Sequence, residues 1–284
     1  MRVALRSRRQ SSRVGRRSAR PPRESDRVST TRPRELGRAF EDADVARNYR
    51  HRQPYPAEIF EILRRLVVEP RTILDAGCGT GALTIGLARF AARVDAVDPS
   101  AAMLREARLM PGADDARIRW IQGTAEAAPL DPPYGLVTAG VSIHWMDPDV
   151  VMPRFAAALA PGGRLAIVDM DSTYGEQEWR GEFLALIRAF SPLTHYESET
   201  EVVRALETSG HFVRDGETAA PPIAVEQSVE DYMAMLASTS SLSRTTLGPR
   251  ADDFEREARA IFARRGMTTV RADVICSVVW GRPQ

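Results

Sequence analysis

The stretch Ile73-Leu-Asp-Ala-Gly-Cys-Gly-Thr-Gly81 constrains the fold more than any other part of the chain. An apolar run ends at an acid, Asp75, and three glycines follow at alternate positions. Glycine lets a backbone turn tightly and lets a ligand approach to van der Waals contact. The pattern predicts a strand over Thr72 to Asp75 and a helix over Ala82 to Phe90 that offers its first amides to that ligand. A second apolar run, Arg93 to Asp98, ends at another acid seventeen residues beyond Gly81. That is the distance at which a doubly wound sheet places a ribose-binding carboxylate. Together the two segments predict a nucleoside-carrying cofactor at the carboxyl edge of a parallel sheet.

The β-α alternation continues along the chain. Apolar residues at Ile59, Phe60, Leu63, Leu66 and Val67 have helical spacing over Ala57 to Val68. Ser100 is a suitable N-cap for a helix through Arg108. Strands are expected over Ile118 to Gln122, Gly135 to Gly140 and Arg164 to Asp169. A helix ends near Leu159, before Pro161-Gly162-Gly163. Such alternation predicts a parallel sheet covered by helices on both faces. Farther on, helices are expected over Trp179 to Phe190, Thr200 to Ser209, Val229 to Ala237 and Ala251 to Arg264. Pro221-Pro222 interrupts the chain before Ile223 to Glu226, and a last strand runs from Thr269 to Trp280.

The glycine spacing discriminates between cofactors. A dinucleotide fingerprint is Gly-x-Gly-x-x-Gly, with its helix end facing a pyrophosphate. Here the glycines are 77, 79 and 81, and Asp75 precedes the turn. A carboxylate beside a pyrophosphate is repelled, whereas it suits a cofactor bearing an ammonium and a sulfonium. From about residue 40 onward the chain resembles the class I S-adenosylmethionine-dependent methyltransferases, of the small-molecule type similar to trans-aconitate methyltransferase. The resemblance implies an α/β, Rossmann-like fold: a seven-stranded, mostly parallel sheet with helices on both faces and a helical lid. It also implies one catalytic domain over 37–284, with the lid inserted at about 174–265.

The same resemblance assigns roles to residues. Asp75 would hold the cofactor's ammonium, directly or through water, while Gly77, Gly79 and Gly81 admit its methionine end and Cys78 sits among them as a small residue. Asp98 would accept hydrogen bonds from both ribose hydroxyls, a bidentate role open to a carboxylate. Thr124, Ala125 and Glu126 follow the third strand, where the family flanks the adenine; the family often has an aspartate where Thr124 stands. The fourth strand runs into Val141-Ser-Ile-His144-Trp145, matching the family's His-Trp stretch. There Val141 borders the cofactor, His144 is the candidate base or orienting group, and Trp145 is a pocket wall. Tyr49-Arg-His-Arg52-Gln-Pro-Tyr55-Pro echoes the family's Tyr…Arg-Pro-x-Tyr-Pro segment. Tyr49 and Arg52 would close over the cofactor, and Tyr55 would border the substrate. Asp131-Pro-Pro-Tyr134 matches a signature of amino-group methyltransferases, but it precedes the fourth strand instead of following it, so it reads as loop punctuation.

Charge is distributed unevenly. The formal net charge is +1, yet residues 1–36 hold twelve Arg and three acids, which leaves the remainder at −8. All 39 basic residues are arginine, so single arginines carry little information. The tail lacks apolar alternation and is expected to be disordered. It is open to three readings: a nucleic-acid arm, a transit peptide, or an unselected extension. Two cysteines make no disulfide framework and fit a reducing, cytoplasmic compartment. No window approaches the ~20 apolar residues of a membrane span, and His195 and His211 stand apart from any metal-ligand cluster. The expected activity is methyl transfer from S-adenosylmethionine to a small-molecule oxygen, with a carboxylate favoured, or nitrogen. The expected partner is that small molecule, not membrane or nucleic acid, on a monomer or homodimer. The alternatives are an RNA or protein methyltransferase and a non-catalytic S-adenosylmethionine-binding protein.

Overall fold

The computed structural model describes residues 34–193 and 198–284. Nearly all of the arginine-rich tail expected over 1–36, and His195, lie outside the described residues. The strands are β1 Thr72–Ala76, β2 Arg93–Asp98, β3 Ile118–Gln122, β4 Tyr134–Gly140, β5 Leu159–Thr173, β6 Phe212–Ala219, β7 Ile223–Ser228 and β8 Thr269–Pro283. They form one sheet in the order β3-β2-β1-β4-β5-β8-β6, with β7 also paired to β8. The first five are parallel, and β8 is antiparallel to β5, β6 and β7.

The helices are α1 Arg34–Gly37, α2 Ala43–Asn48, α3 Ala57–Leu66, α4 Ala82–Ala88, α5 Ala101–Ala107, α6 Pro148–Ala158, α7 Glu178–Phe190, α8 Glu199–Thr208, α9 Val229–Ala237, α10 Arg244–Leu247 and α11 Ala251–Ala263. Central parallel strands need apolar cover on both sides, and the two helical layers supply it. On one face Val151, Met152 and Phe155 of α6 and Val202, Val203 and Leu206 of α8 pack with Leu74, Val137 and Ile167. On the other, Ile59 and Leu63 of α3 and Leu83 and Leu87 of α4 pack with Ile73, Leu136 and Val168.

The sheet has eight strands where seven were expected. Ala219 pairs with Ser277 and Ile223 with Val274, so β6 and β7 continue one edge position along β8. Two prolines between them cannot donate to the ladder, and the edge strand divides there. The β6 segment escaped the sequence pattern because Phe212 is its only buried residue. The β5 strand is also longer than its apolar run. Its register on β4 steps from Tyr134↔Leu159 to Leu136↔Arg164, and Pro161-Gly162-Gly163 lies in the chain that loops out between them.

Within the expected insertion of 174–265, α8, β6 and β7 belong to the sheet and its cover. Only α7, α9, α10 and α11 form a separate core, in which Trp179, Phe183, Tyr232 and Phe262 meet with ring centroids 5.2–6.1 Å apart. Burial of such aromatic rings is worth more than their area alone suggests.

Close packing of α3 on α4 depends on Gly86. A Cβ added there would lie 1.9 Å from the Phe60 ring. In an open helix Gly→Ala stabilises by about 1 kcal/mol; Gly86→Ala is expected instead to lose about 1–3 kcal/mol through overpacking. Urea unfolding measures the difference, and Phe60→Leu in the same background should recover part of it. A more stable Gly86→Ala protein would contradict this packing.

Candidate active site

The three glycines occupy backbone conformations that side chains resist. Gly77, Gly79 and Gly81 have φ of 73°, 55° and 80°. A Cβ at Gly77 would lie 2.6 Å from Ser142 Cβ, and one at Gly81 would lie 2.4 Å from the Trp120 ring. At Gly79 the nearest atom would be Tyr49 Cε1 at 3.8 Å. The first and third glycines thus admit neighbouring protein, while the second presents bare backbone beneath the Tyr49 ring. The turn is tied to β2 by the amides of Gly77 and Cys78, which donate to Val97 O at 2.8 and 3.0 Å.

Asp98 completes that tie. Its Oδ2 accepts from the Gly79 amide at 2.8 Å, and its Oδ1 accepts from the Ser100 amide at 2.8 Å. Each oxygen retains a second lone pair, so the carboxylate is oriented without being exhausted. Burial pushes its pKa up, against the pull of the Ser100 and Gly79 amides. Ser100 caps α5 through its side chain on the Met103 amide, as expected, and donates to Phe40 O at 2.6 Å. Gly123 N donates to Asp98 O at 3.0 Å, which brings the loop carrying Thr124 and Ala125 beside the carboxylate. Thr124 is exposed and Ala125 buried. The third member of that loop, Glu126, accepts from the Asp147 amide at 2.9 Å and so braces the chain after β4.

Asp75 lies behind the turn, not on its surface. It is 1% exposed, and its two oxygens accept from Thr84 Oγ1 at 2.5 Å and Thr138 Oγ1 at 2.8 Å. Burial pushes its carboxyl up to about 6; the two hydroxyls oppose the rise and Asp98 adds repulsion. Burial also raises the Cys78 thiol well above its usual range and lifts Cys276 to about 12. Both thiols are therefore held in the neutral form, which is a poor nucleophile.

The segment before β1 covers the site and joins it to the separate helical core. Phe40 meets Tyr49 and Trp145 edge-on at 6.1 and 5.5 Å. The Arg52 guanidinium lies 4.1 Å from the Tyr49 ring centroid and donates to Ser238 Oγ and O, both at 3.0 Å, at the end of α9. His51 pairs with Asp231 at 2.9 Å, and Gln53 donates to Gln227 at 3.1 Å. Tyr55 stands at the end of β4, where a Cβ on Gly140 would come within 2.8 Å of its hydroxyl.

Past β4 the backbone is strained. Val141 has φ of 49°, an outlier for a β-branched residue that costs of order 1–3 kcal/mol and recurs at functional sites. Its amide donates to Val168 O at 2.9 Å, and Ser142 Oγ donates to Ala76 O at 2.7 Å. These contacts hold the short helical turn Ile143–Trp145 over the ends of β1, β4 and β5. His144 on this turn is buried, and its Nδ1 contacts Glu199 Oε1. Asp169 near the end of the parallel stretch of β5 is raised to about 6 by burial, and then by Glu199 and Asp171.

Glu199 was missed in the sequence. The only local signal is the capping box of Ser198 and Glu201, which sets Glu199 in the first turn of α8; its pairing with His144 fifty-five residues away has no sequence signature. Asp131-Pro-Pro-Tyr134 lies at the opposite, amino end of β4. Tyr134 is buried and donates to Asp95 Oδ2 at 2.7 Å, while Asp131 pairs with Arg93 and Arg119 at 2.8 Å. Among the described residues no group of three or more His, Cys, Asp and Glu could hold a metal ion, and no helix is long and apolar enough to cross a membrane.

The buried acid at position 75 has a consequence for stability. Its folded value of about 6 exceeds its ordinary 3.8. Its contribution is therefore full below about pH 4 and is lost as pH rises through 6, by up to about 3 kcal/mol. Asp75→Asn is expected to flatten the decline of thermal stability over that window, leaving the parts due to Asp98 and Asp169, which burial also raises. An unchanged pH profile in the variant would contradict this origin.

Residues 73–163 match the methyltransferase domain family. The chain is 38% identical over 136 residues to an uncharacterized methyltransferase of Mycobacterium tuberculosis, covering 48% of this chain and 53% of that protein. It is 40% identical over 126 residues to the trans-aconitate 2-methyltransferase of Variovorax paradoxus, covering 43% and 46%. The chain spans about half the length of these curated relatives. A solved structure assigned to a type II methyltransferase from Anaeromyxobacter dehalogenans superposes with a TM-score of 0.60 at 24% identity, covering 82% of this chain and 99% of that one. The likeness extends the shared fold beyond the matched domain. Residues 73–163 thus match a methyltransferase domain, and the chain shares the fold of the Anaeromyxobacter structure.

Proposed function

We propose that the protein transfers the methyl group of S-adenosylmethionine to a small-molecule oxygen or nitrogen by direct displacement. The observation that carries this reading is the Asp98 carboxylate, clamped by the Gly79 and Ser100 amides beside a glycine turn roofed by Tyr49. A doubly held acceptor of that kind suits a pair of ribose hydroxyls. The bare backbone at Gly79 suits a thioether chain in close contact. Asp75, buried behind the turn with its oxygens oriented by Thr84 and Thr138, supplies negative charge under the turn for an ammonium. Arg52, fixed on Ser238, supplies positive charge at the roof. The Thr124–Glu126 loop flanks the adenine, with the Ala125 amide as the ring's partner, and Val141 bounds the pocket at the end of β4.

When bound, S-adenosylmethionine supplies an electrophilic methyl on a sulfonium, already a good leaving group. The chain's own residues then have to align the acceptor and exclude water. Alignment of this kind is worth about 7–11 kcal/mol of barrier at best. The Arg52–Ser238, His51–Asp231 and Gln53–Gln227 contacts close the roof onto α9 and β7. Trp145 walls the acceptor side, Tyr55 borders it beside Gly140, and His144 is the group suited to take or orient a proton. Likeness to the trans-aconitate 2-methyltransferase of Variovorax paradoxus supports a small carboxylic acid among the candidate acceptors.

Incubation with methyl-labelled S-adenosylmethionine and extract from the protein's own source tests this. Label is expected in the small-molecule fraction; label in RNA or protein would overturn it. In equilibrium dialysis Asp98→Asn is expected to weaken cofactor binding about 10- to 100-fold, the loss of charge-assisted hydrogen bonds of ~1.5–3 kcal/mol. Unchanged binding would remove Asp98 from the site.

A further inference from the structure

The contact between His144 and Glu199 is more than a packing detail. His144 is 2% and Glu199 4% exposed, and they meet through Nδ1 and Oε1. The second oxygen of Glu199, Oε2, is fully buried and has no hydrogen-bond partner among the described residues. An orphaned buried carboxylate oxygen is costly, and repulsion between Glu199 and Asp169 adds to that cost. The capping box of α8 fixes the backbone that carries Glu199, so the side chain is held in a place where, among the described residues, the imidazole is what compensates it.

A ring nitrogen that bonds to a carboxylate carries the proton, and the other nitrogen is then the base. We propose that Glu199 is a positioning residue that keeps the proton on His144 Nδ1. His144 Nε2 then removes a proton from the acceptor, so the site selects a hydroxyl or amine that must lose one and disfavours a carboxylate. This rests on the methyltransferase reading above and narrows its acceptor. In the step, a lone pair of the acceptor oxygen or nitrogen forms the new bond to the methyl carbon while the carbon–sulfur bond breaks and its electrons return to sulfur. The acceptor's proton goes to Nε2, and the resulting imidazolium is stabilised by Glu199. A carboxylate acceptor needs no base and would meet repulsion from Glu199 and Asp169.

Two measurements on the full chain test it. In ¹⁵N-histidine-labelled protein, the His144 signals are identified by their loss in His144→Gln. They are expected to show a neutral ring with its proton on Nδ1, and Glu199→Leu should move that proton to Nε2. A bare Nδ1 in the native chain, or a tautomer indifferent to Glu199→Leu, would overturn the proposal. In the labelled-methyl assay, Glu199→Gln should retain cofactor binding in dialysis while turnover falls about 10²- to 10⁴-fold; retained turnover would overturn it. The labelled product should also withstand alkali, as a methyl ether or methylamine does. Release as volatile methanol would mark a methyl ester and refute the acceptor class. Failure of the native chain to bind S-adenosylmethionine would instead sink the methyltransferase reading, while the tautomer measurement would still decide the role of Glu199.

Discussion

The architecture of the carboxyl edge depends on one carboxylate. Asp98 ends β2, accepts the amide of Gly79 on one oxygen and that of Ser100 on the other, and thereby joins three things. It fixes the glycine turn after β1, starts α5 through the Ser100 cap, and holds the β3 loop through its own carbonyl on Gly123. A charged acceptor bonded to backbone amides is about twice as strong as a neutral one. The burial that raises its pKa is the cost of placing it there. Asp75 repeats the device one strand away with two threonine hydroxyls. Buried, oriented acids set side by side are what a cationic nucleoside cofactor would use.

The second half of the site is assembled across long sequence separations. Residues 40–53 reach α5 on one side and α9 and β7 on the other, through Ser100–Phe40, Arg52–Ser238 and Gln53–Gln227. The aromatic core of α7, α9 and α11 stiffens the body against which this segment closes. Val141 and the Ile143–Trp145 turn form the floor, with strain at Val141 offset by its bond to β5. The acids are therefore set by the sheet, whereas roof and floor are set by contacts between distant segments.

That division explains what the sequence discloses. The first five strands and their helices are legible because strand-length apolar segments alternate with segments of helical spacing; β2 and β3 keep the bounds that their patterns predict. The glycine turn is legible because left-handed backbone selects glycine, and Asp98 because its spacing is set by one βαβ unit. The β6 strand is not legible: it is an edge strand with one buried residue, and the Pro221-Pro222 break conceals its continuity with β7. Glu199 is not legible either, because a helix-start acid looks solvated until the fold sets His144 against it. Asp131-Pro-Pro-Tyr134 illustrates the opposite hazard, a motif whose residues instead serve a buried tyrosine and a surface ion-pair cluster. Only its position before β4 separates it from the signature it imitates.

A crystal structure with S-adenosylhomocysteine tests the central claim most directly. Both ribose hydroxyls are expected within hydrogen-bond distance, about 2.5–3.0 Å, of the Asp98 oxygens, with the homocysteine chain against Gly79 beneath the Tyr49 ring. A ligand bound elsewhere, or a ribose held by other residues with Asp98 still engaged only by its two amides, would contradict it.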